Sequence, residues 1–230
     1  MPEIRAICFD LFHTLVDVGR VPDHVGRYTA DILGVDRQVW NERCFSAEHE
    51  IRRPTRHHDV IRTLAHSIDP AIPSERIAQA VEERQRRFDH ALREVEAQTL
   101  ASLEDLRARG LRLALVSNAS TAEVAAWTDS PLAGQFDTAV FSCECGFAKP
   151  EPEIYRLACD GLGVTPEQAL FVGDGGSDEH AGAAAVGMHP VLMRRFLDKM
   201  APDRLAARRR RVRWEVAHLG ELSAALAALG

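Results

Sequence analysis

Lysine is nearly absent from this chain of 230 residues, because Lys149 and Lys199 are the only lysines among 28 basic residues. Positive charge is in deficit as well: 34 Asp and Glu against 28 Lys and Arg give a net charge of −6. An acidic balance of this kind argues against a general binder of nucleic acid or of anionic membranes. We therefore expect neither nucleic acid nor a membrane among its partners.

Long hydrophobic runs are also missing, so the sequence predicts no transmembrane helix. The first residues contain no basic segment ahead of an apolar run, and secretion is not expected. The five cysteines are odd in number and lack the spacing of a disulfide framework. Cys143 and Cys145 stand too close together for a zinc pair. We therefore expect a reduced, cytoplasmic protein.

What the sequence does contain is an alternation of apolar and amphipathic segments. Apolar runs typical of buried strands occupy residues 4–9, 111–116, 138–142, 169–172 and 190–193, with a late strand at 212–216. Helical patterns separate them at 100–109, 121–127, 153–162 and 178–186, and a closing helix is predicted at 219–229. Strands that are apolar throughout and alternate with helices predict a parallel sheet covered on both faces. The expected fold is a three-layer, Rossmann-like α/β core.

Residues 16–94 break this alternation, because they contain helical patterns and no convincing strand. The helices are predicted at 23–33, 37–50, 58–66 and 74–93. Residues 1–15 and 95–230 are thus predicted to form the core, and residues 16–94 an inserted helical cap. A second feature, the arginine run at 204, 208–211 and 213, is predicted to be a solvated edge before the last strand.

Polar groups follow the predicted strands at the edge where parallel sheets place their chemistry. They are Asp10, His13 and Thr14 after the first strand, Ser117 and Asn118 after the second, Lys149 after the third, and Asp174 and Asp178 after the fourth. In order and in position, these four segments resemble the four motifs of the haloacid dehalogenase superfamily of hydrolases. The helical insertion resembles the cap that this family carries after its first motif.

The resemblance implies a role for each motif. Asp10 would be a nucleophile that forms a covalent aspartyl intermediate, and Ser117 and Lys149 would bind phosphate or oxyanion oxygens. Asp174 and Asp178 would be carboxylates on the magnesium side of the site. The residues expected to contact a small anionic substrate are Thr14, Asn118 and His13.

Elementary electrostatics supports the metal independently of the resemblance. The carboxylates of Asp10, Asp174 and Asp178 cannot all stay ionised in one cleft without a cation. Mg²⁺ prefers oxygen ligands, and the backbone carbonyl of Phe12 could add another. An ammonium or guanidinium in the place of that ion would count against this mechanism.

Two departures from the family pattern point in opposite directions. Phe12 stands where the family's phosphatases have a second aspartate, and its side chain cannot transfer protons. An aromatic residue there resembles the 2-haloacid dehalogenases, which need neither an acid nor a metal. However, those enzymes carry serine and asparagine where this chain has Gly173 and Asp174. We weigh the second departure more heavily and predict a magnesium-dependent phosphatase, with a dehalogenase or a weakly active phosphate-binding relative as alternatives.

A phosphatase without the usual acid needs a substitute or an easy substrate. His13 could shuttle protons near neutral pH, or the leaving group could be a good one, such as an acyl phosphate or an activated phenol. Residues 16–94 contain no lysine, which excludes a phosphonate-cleaving relative that forms a Schiff base in its cap. The sequence is compatible with a homodimer.

Overall fold

The computed structural model of the chain describes residues 3–197, 200, 202–223 and 226. A six-stranded sheet with the order β3-β2-β1-β4-β5-β6 lies at its centre. The strands are β1 (Ala6–Phe9), β2 (Arg112–Ser117), β3 (Thr138–Phe141), β4 (Ala169–Gly173), β5 (His189–Met193) and β6 (Trp214–Val216). All neighbouring strands are parallel. The predicted α/β architecture is therefore confirmed.

Both faces of the sheet are covered, which explains why the central strands are apolar at every position. In β1, Ile7 and Phe9 pack in a hydrophobic cluster on one face, and Ala6 and Cys8 pack in a second cluster on the other. All four residues are fully buried. The helices after the insertion are α5 (Ala97–Ala108), α6 (Ser142–Cys145), α7 (Pro152–Leu162), α8 (Glu179–Ala185) and α9 (Pro202–Arg209).

Residues 16–94 form a helical insertion between β1 and α5. Its helices are α1 (Thr29–Leu33), α2 (Arg37–Cys44), α3 (His57–Ile68) and α4 (Ser74–Arg93). They share a hydrophobic cluster of their own, which includes Trp40, Leu64 and Ile77. The end of α4 reaches the core, because Leu92 packs in the cluster on the sheet. The exact domain boundaries and the role of the insertion as a cap stay predictions.

Several predicted helices differ from the structure. The helix expected at 121–127 is wrong: these residues form turns, and the Glu123 side chain accepts the Ser120 N–H at 2.9 Å and closes one of them. In the insertion, α1 begins later than predicted and α2 ends earlier. The closing helix predicted at 219–229 begins as a short 3-10 turn, Leu219–Glu221, and residues 222, 223 and 226 are helical. Residues 224–225 and 227–230 lie outside the described residues.

Two helices were not predicted, α6 and α9. The second matters for the site, because it turns the arginine run expected at a solvated edge into a helix whose last turn contains Arg208. Across the part of the chain that the structure describes, no helix combines the length and apolarity needed to cross a membrane.

Candidate active site

The candidate site lies where β1, β2 and β4 end at the same edge of the sheet. Asp10 follows β1, and its backbone N–H donates to the carbonyl of Val172 in β4 at 2.9 Å. Asp174 follows β4, and Ser117 is the last residue of β2. Because β1 lies between β2 and β4, the polar side chains after these strands are brought together.

Asp10 is held by two side-chain donors, one for each carboxylate oxygen. The Thr14 hydroxyl donates to Oδ2 at 2.8 Å, and the Lys149 ammonium donates to Oδ1 at 2.6 Å. The residue is 6% exposed. These contacts fix the direction in which the carboxylate oxygens point, as a nucleophile requires. Thr14, expected to contact substrate, binds Asp10 in this structure.

Lys149 lies between two carboxylates, because its Nζ also donates to Glu179 at 2.7 Å. Burial alone would lower the pKa of Lys149, but the charges of Asp10 and Glu179 outweigh it and raise the pKa well above its ordinary value. The lysine therefore remains a cation across the physiological range. Asn118 positions it: the Asn118 amide donates to the Lys149 carbonyl at 3.0 Å and accepts the Lys149 N–H at 2.7 Å.

Both polar atoms of the Asn118 side chain thus bind the Lys149 backbone, and the expected contact of Asn118 with substrate stays a prediction. His13 is turned toward Asp17, with Nδ1 3.1 Å from Oδ1, and its side chain is 46% exposed. Burial opposes protonation of His13, but the hydrogen bond and charge of Asp17 prevail and raise its pKa. The proton-shuttle role suggested for His13 stays a prediction.

Glu179 is the site residue that the sequence analysis missed. It is 1% exposed, and its second carboxylate oxygen accepts the Gly175 N–H at 2.7 Å. The approach depends on Gly173, because a Cβ at that position would overlap the Glu179 carboxylate. Burial, and then the nearby charges of Asp10 and Asp174, raise the pKa of Glu179 to about 8 against the opposing effect of Lys149.

Asp178 was predicted as the second carboxylate on the magnesium side of the site, but the structure does not place it with Asp10, Asp174 and Glu179. Its side chain is 62% exposed and pairs with Arg211. Two consecutive residues with left-handed backbone, Ser177 (φ 50°) and Asp178 (φ 51°), turn the chain immediately before α8. The side chains of Asp178 and Glu179 consequently point in different directions. A signal for Glu179 was available, since it precedes the small residues Gly182 and Ala183 by three and four positions, the spacing of one helix face.

Asp10, Asp174 and Glu179 form the acidic cluster of the site. One carboxylate oxygen from each residue lies within 4.8 Å of the others, and among the described residues this set could hold a metal ion. Oxygen donors of this kind match the preference of Mg²⁺. The metal roles expected of Asp10 and Asp174 remain compatible with their positions, and that of the Phe12 carbonyl stays a prediction.

Two side-chain cations already contact this acidic cluster. Lys149 contacts Asp10 and Glu179, and Arg208 Nη1 donates to Asp174 Oδ2 at 2.6 Å. From the sequence, only a dication was expected to compensate these carboxylates. The electrostatic argument for that ion is therefore weaker than expected, because three carboxylates face two cations rather than none.

Two further groups border the site. The Ser117 hydroxyl is buried and has no hydrogen-bond partner among the described residues, so an incoming anion would find an uncommitted donor there. The Phe12 ring packs edge-on against Phe88 of α4, with 5.2 Å between ring centroids. Phe12 thus brings an apolar contact to the insertion and no proton-transfer group.

Comparison with known proteins is consistent with this geometry. The model of the haloacid dehalogenase-like hydrolase family matches residues 4–185. The (S)-2-haloacid dehalogenase 1 of Pseudomonas sp. (strain CBS-3) is 28% identical over 202 residues, which are 85% of this chain and 87% of that protein. The phosphoglycolate phosphatase of Salmonella paratyphi A is 29% identical, over 80% of this chain and 79% of the relative. A crystal structure of a dehalogenase with an intermediate complex has the same fold, with a TM-score of 0.70, 23% identity and 99% of each chain covered.

Proposed function

Because the chain belongs to the haloacid dehalogenase-like hydrolases and is itself a hydrolase, we propose that it is a magnesium-dependent phosphatase. Its substrate would be a small phosphomonoester, cleaved through an aspartyl-phosphate on Asp10. The observation that carries this proposal is the acidic cluster of Asp10, Asp174 and Glu179, whose ligand oxygens lie within 4.8 Å of one another. Carboxylates this close are suited to a hard divalent cation.

The charge balance supports a metal despite Lys149 and Arg208. With all three carboxyl groups of the acidic cluster ionised, these two cations leave one negative charge uncompensated. With Glu179 protonated, the two remaining carboxylates balance the two cations. A phosphomonoester dianion would still bring two further negative charges. When bound to the acidic cluster, Mg²⁺ would supply that missing positive charge and polarise the phosphoryl group.

The chain's own residues perform the covalent step in this mechanism. An oxygen of Asp10 attacks phosphorus, and a new P–O bond forms while the bond from phosphorus to the ester oxygen breaks. The ester oxygen leaves with the electron pair. Lys149 and the Ser117 hydroxyl stabilise the charged phosphoryl oxygens. Water then attacks the aspartyl-phosphate, which releases inorganic phosphate and restores the Asp10 carboxylate.

Phe12 limits the leaving groups that this mechanism can expel. General-acid assistance is worth about 10² to 10⁴-fold in rate, and the Phe12 ring, packed against Phe88, provides none. We therefore expect substrates whose leaving group departs without protonation, such as acyl phosphates or phenyl phosphates. In Phe12→Asp, turnover of sugar phosphates should rise about tenfold or more relative to that of phenyl phosphates. An equal effect on both classes would contradict this account.

A second candidate, hydrolysis of a 2-haloacid, is favoured by two observations. Phe12 is compatible with a halide leaving group, which needs no proton, and a haloacid brings one negative charge instead of two. Asp10 would attack C2, the carbon–halogen bond would break with the electron pair on the halide, and water would hydrolyse the resulting ester. The dehalogenase relative spans most of this chain, as does the phosphatase relative.

One experiment separates the two candidates. The protein is assayed for phosphate release from a panel of sugar, acyl and phenyl phosphates, with Mg²⁺ and with a chelator. In parallel, 2-chloropropionate is supplied and halide is measured. The phosphatase proposal expects Mg²⁺-dependent phosphate release and no halide. Halide release that persists in the presence of chelator would overturn it in favour of the dehalogenase.

A further inference from the structure

Arg208 contacts the acidic cluster from outside the four motif segments. It is part of α9, and its Nη1 donates both to Asp174 Oδ2, at 2.6 Å, and to the Asp174 carbonyl. The remaining Asp174 oxygen, Oδ1, accepts the Gly176 N–H at 2.9 Å. Each carboxylate oxygen of Asp174 is therefore engaged by the protein itself.

The loop after β4 leaves room for this arginine. The stem of Arg208 lies over Gly175, where an added Cβ would come within 3.2 Å of Arg208 Cδ. The side chains of Arg208 and Asp174 are 23% and 12% exposed. The ion pair is thus shielded enough from water to be effective, yet it lies near the surface, where its guanidinium can move into solvent.

The helix that carries Arg208 is held to the rest of the chain without buried residues. No residue of α9 is buried. Its arginines instead form ion pairs: Arg209 with Glu215, at 2.7 Å, and Arg208 with Asp174. Just beyond the helix, Arg211 pairs with the exposed Asp178. Withdrawal of Arg208 from Asp174 would therefore expose little apolar surface, and the free energy that opposes it is mainly electrostatic.

We propose that Arg208 sets the affinity of the acidic cluster for divalent cations, by acting as an internal counter-ion of Asp174. A dication bound to Asp174 and the Arg208 guanidinium are like charges on one carboxylate, so the ion and the arginine compete for it. This inference rests on the metal site of the proposed function. It adds that Arg208 already neutralises the charge of Asp174 in the metal-free protein, and that cation binding is coupled to release of α9.

The test is isothermal titration calorimetry of the whole chain with MgCl₂, without substrate. We expect Arg208→Gln to bind Mg²⁺ about tenfold more tightly than the original protein, within the range of ordinary coupling energies. Arg211→Gln is the matched control, because it removes the same charge from the neighbouring ion pair with Asp178. Its affinity should stay within about twofold of the original protein. Circular dichroism at the titration temperature verifies that both variants are folded.

Hydrogen exchange provides a second readout. In the original protein, saturating Mg²⁺ should increase amide exchange in residues 202–211, and in Arg208→Gln it should leave that exchange unchanged. Equal Mg²⁺ affinity of Arg208→Gln and the original protein would overturn the role of Arg208 and leave the proposed phosphatase intact. If neither protein binds Mg²⁺ while phosphate or halide is still released, both the Arg208 proposal and the metal dependence are overturned.

Discussion

The two loops that supply the acidic cluster are built differently. The β1 loop, residues 10–17, holds the Asp10 carboxylate with a donor of its own, Thr14, and with the buried Lys149. The β4 loop, residues 174–178, is glycine-rich, and its acids at 174 and 178 are paired with arginines from the α9 region. The first loop is therefore fixed by the core, whereas the second depends on ion pairs near the surface. We expect substitutions in the first to affect chemistry most.

The largest effect is expected at Asp10. Asp10→Asn removes the attacking oxygen and the negative charge that Lys149 contacts, so turnover of any substrate found in the panel should fall by about 10⁴-fold or more. The measurement is product release under saturating substrate, with calorimetry for substrate binding. A pure binding protein would retain its affinity in this variant and would show no turnover to lose, an outcome that contradicts a hydrolytic role for Asp10.

The next comparison lies at the end of the β4 loop. Glu179→Gln should lower kcat/KM by about 10 to 100-fold, because it removes a buried carboxyl group that contacts Lys149 and belongs to the acidic cluster. Asp178→Asn should change it by less than about twofold, since an exposed ion pair contributes little. Each replaces one carboxylate by its amide, so each is the control for the other. The reverse ranking would restore the metal role that the sequence predicted for Asp178.

These two loops also show how far the sequence could be interpreted. The parallel sheet, and the placement of Asp10, Ser117, Lys149 and Asp174 at one edge of it, could be predicted from the alternation of apolar and helical segments and from the polar residues at the predicted strand ends. The sequence does not show which of Asp178 and Glu179 joins the acidic cluster. This depends on left-handed backbone at two non-glycine residues, Ser177 and Asp178. Residue spacing alone assigns no such turn.

Arg208 was beyond sequence analysis for a different reason. Its pairing with Asp174 joins positions 34 residues apart in the chain, and no local pattern connects them. The arginine run has the composition of a solvated surface, and most of its members are indeed outside the core. Only the three-dimensional position of α9 singles out one arginine as a neighbour of the acidic cluster.

A smaller effect is expected at His180, the residue after Glu179, on the pH dependence of the free energy of unfolding. Burial lowers the pKa of His180 to about 4, although the charge of Asp174 opposes this. The unfolded chain binds a proton at this residue below about pH 6.5. In the folded protein, His180 binds a proton only near pH 4. Stability from neutral His180 is therefore complete above about pH 6.5 and is lost as the pH falls toward 4.

His180→Leu removes that titration and leaves an apolar side chain in a buried position, where neither ring nitrogen of the histidine has a hydrogen-bond partner among the described residues. The free energy of unfolding, measured in urea at pH 7.5 and pH 4.5, should differ between the two pH values by about 2 kcal/mol less than in the original protein. His58→Leu, at a side chain that is 48% exposed, should leave the difference unchanged. An equal change of the free energy of unfolding with pH in His180→Leu and the original protein would contradict the role of His180.

The smallest effect concerns the backbone that separates Asp178 from Glu179. Ser177 has φ 50° and ψ 33°, a left-handed conformation that costs a non-glycine residue about 1 kcal/mol or more. Ser177→Gly removes this cost but adds conformational entropy to the unfolded chain, so we expect a net gain of about 0.5 kcal/mol and a melting temperature about 1–2 °C higher. Ser67→Gly, the same change inside the right-handed helix α3, should instead destabilise by about 1 kcal/mol. If both variants lost stability alike, Ser177 would not be left-handed, and the explanation for the opposite directions of the two acids would fail with it.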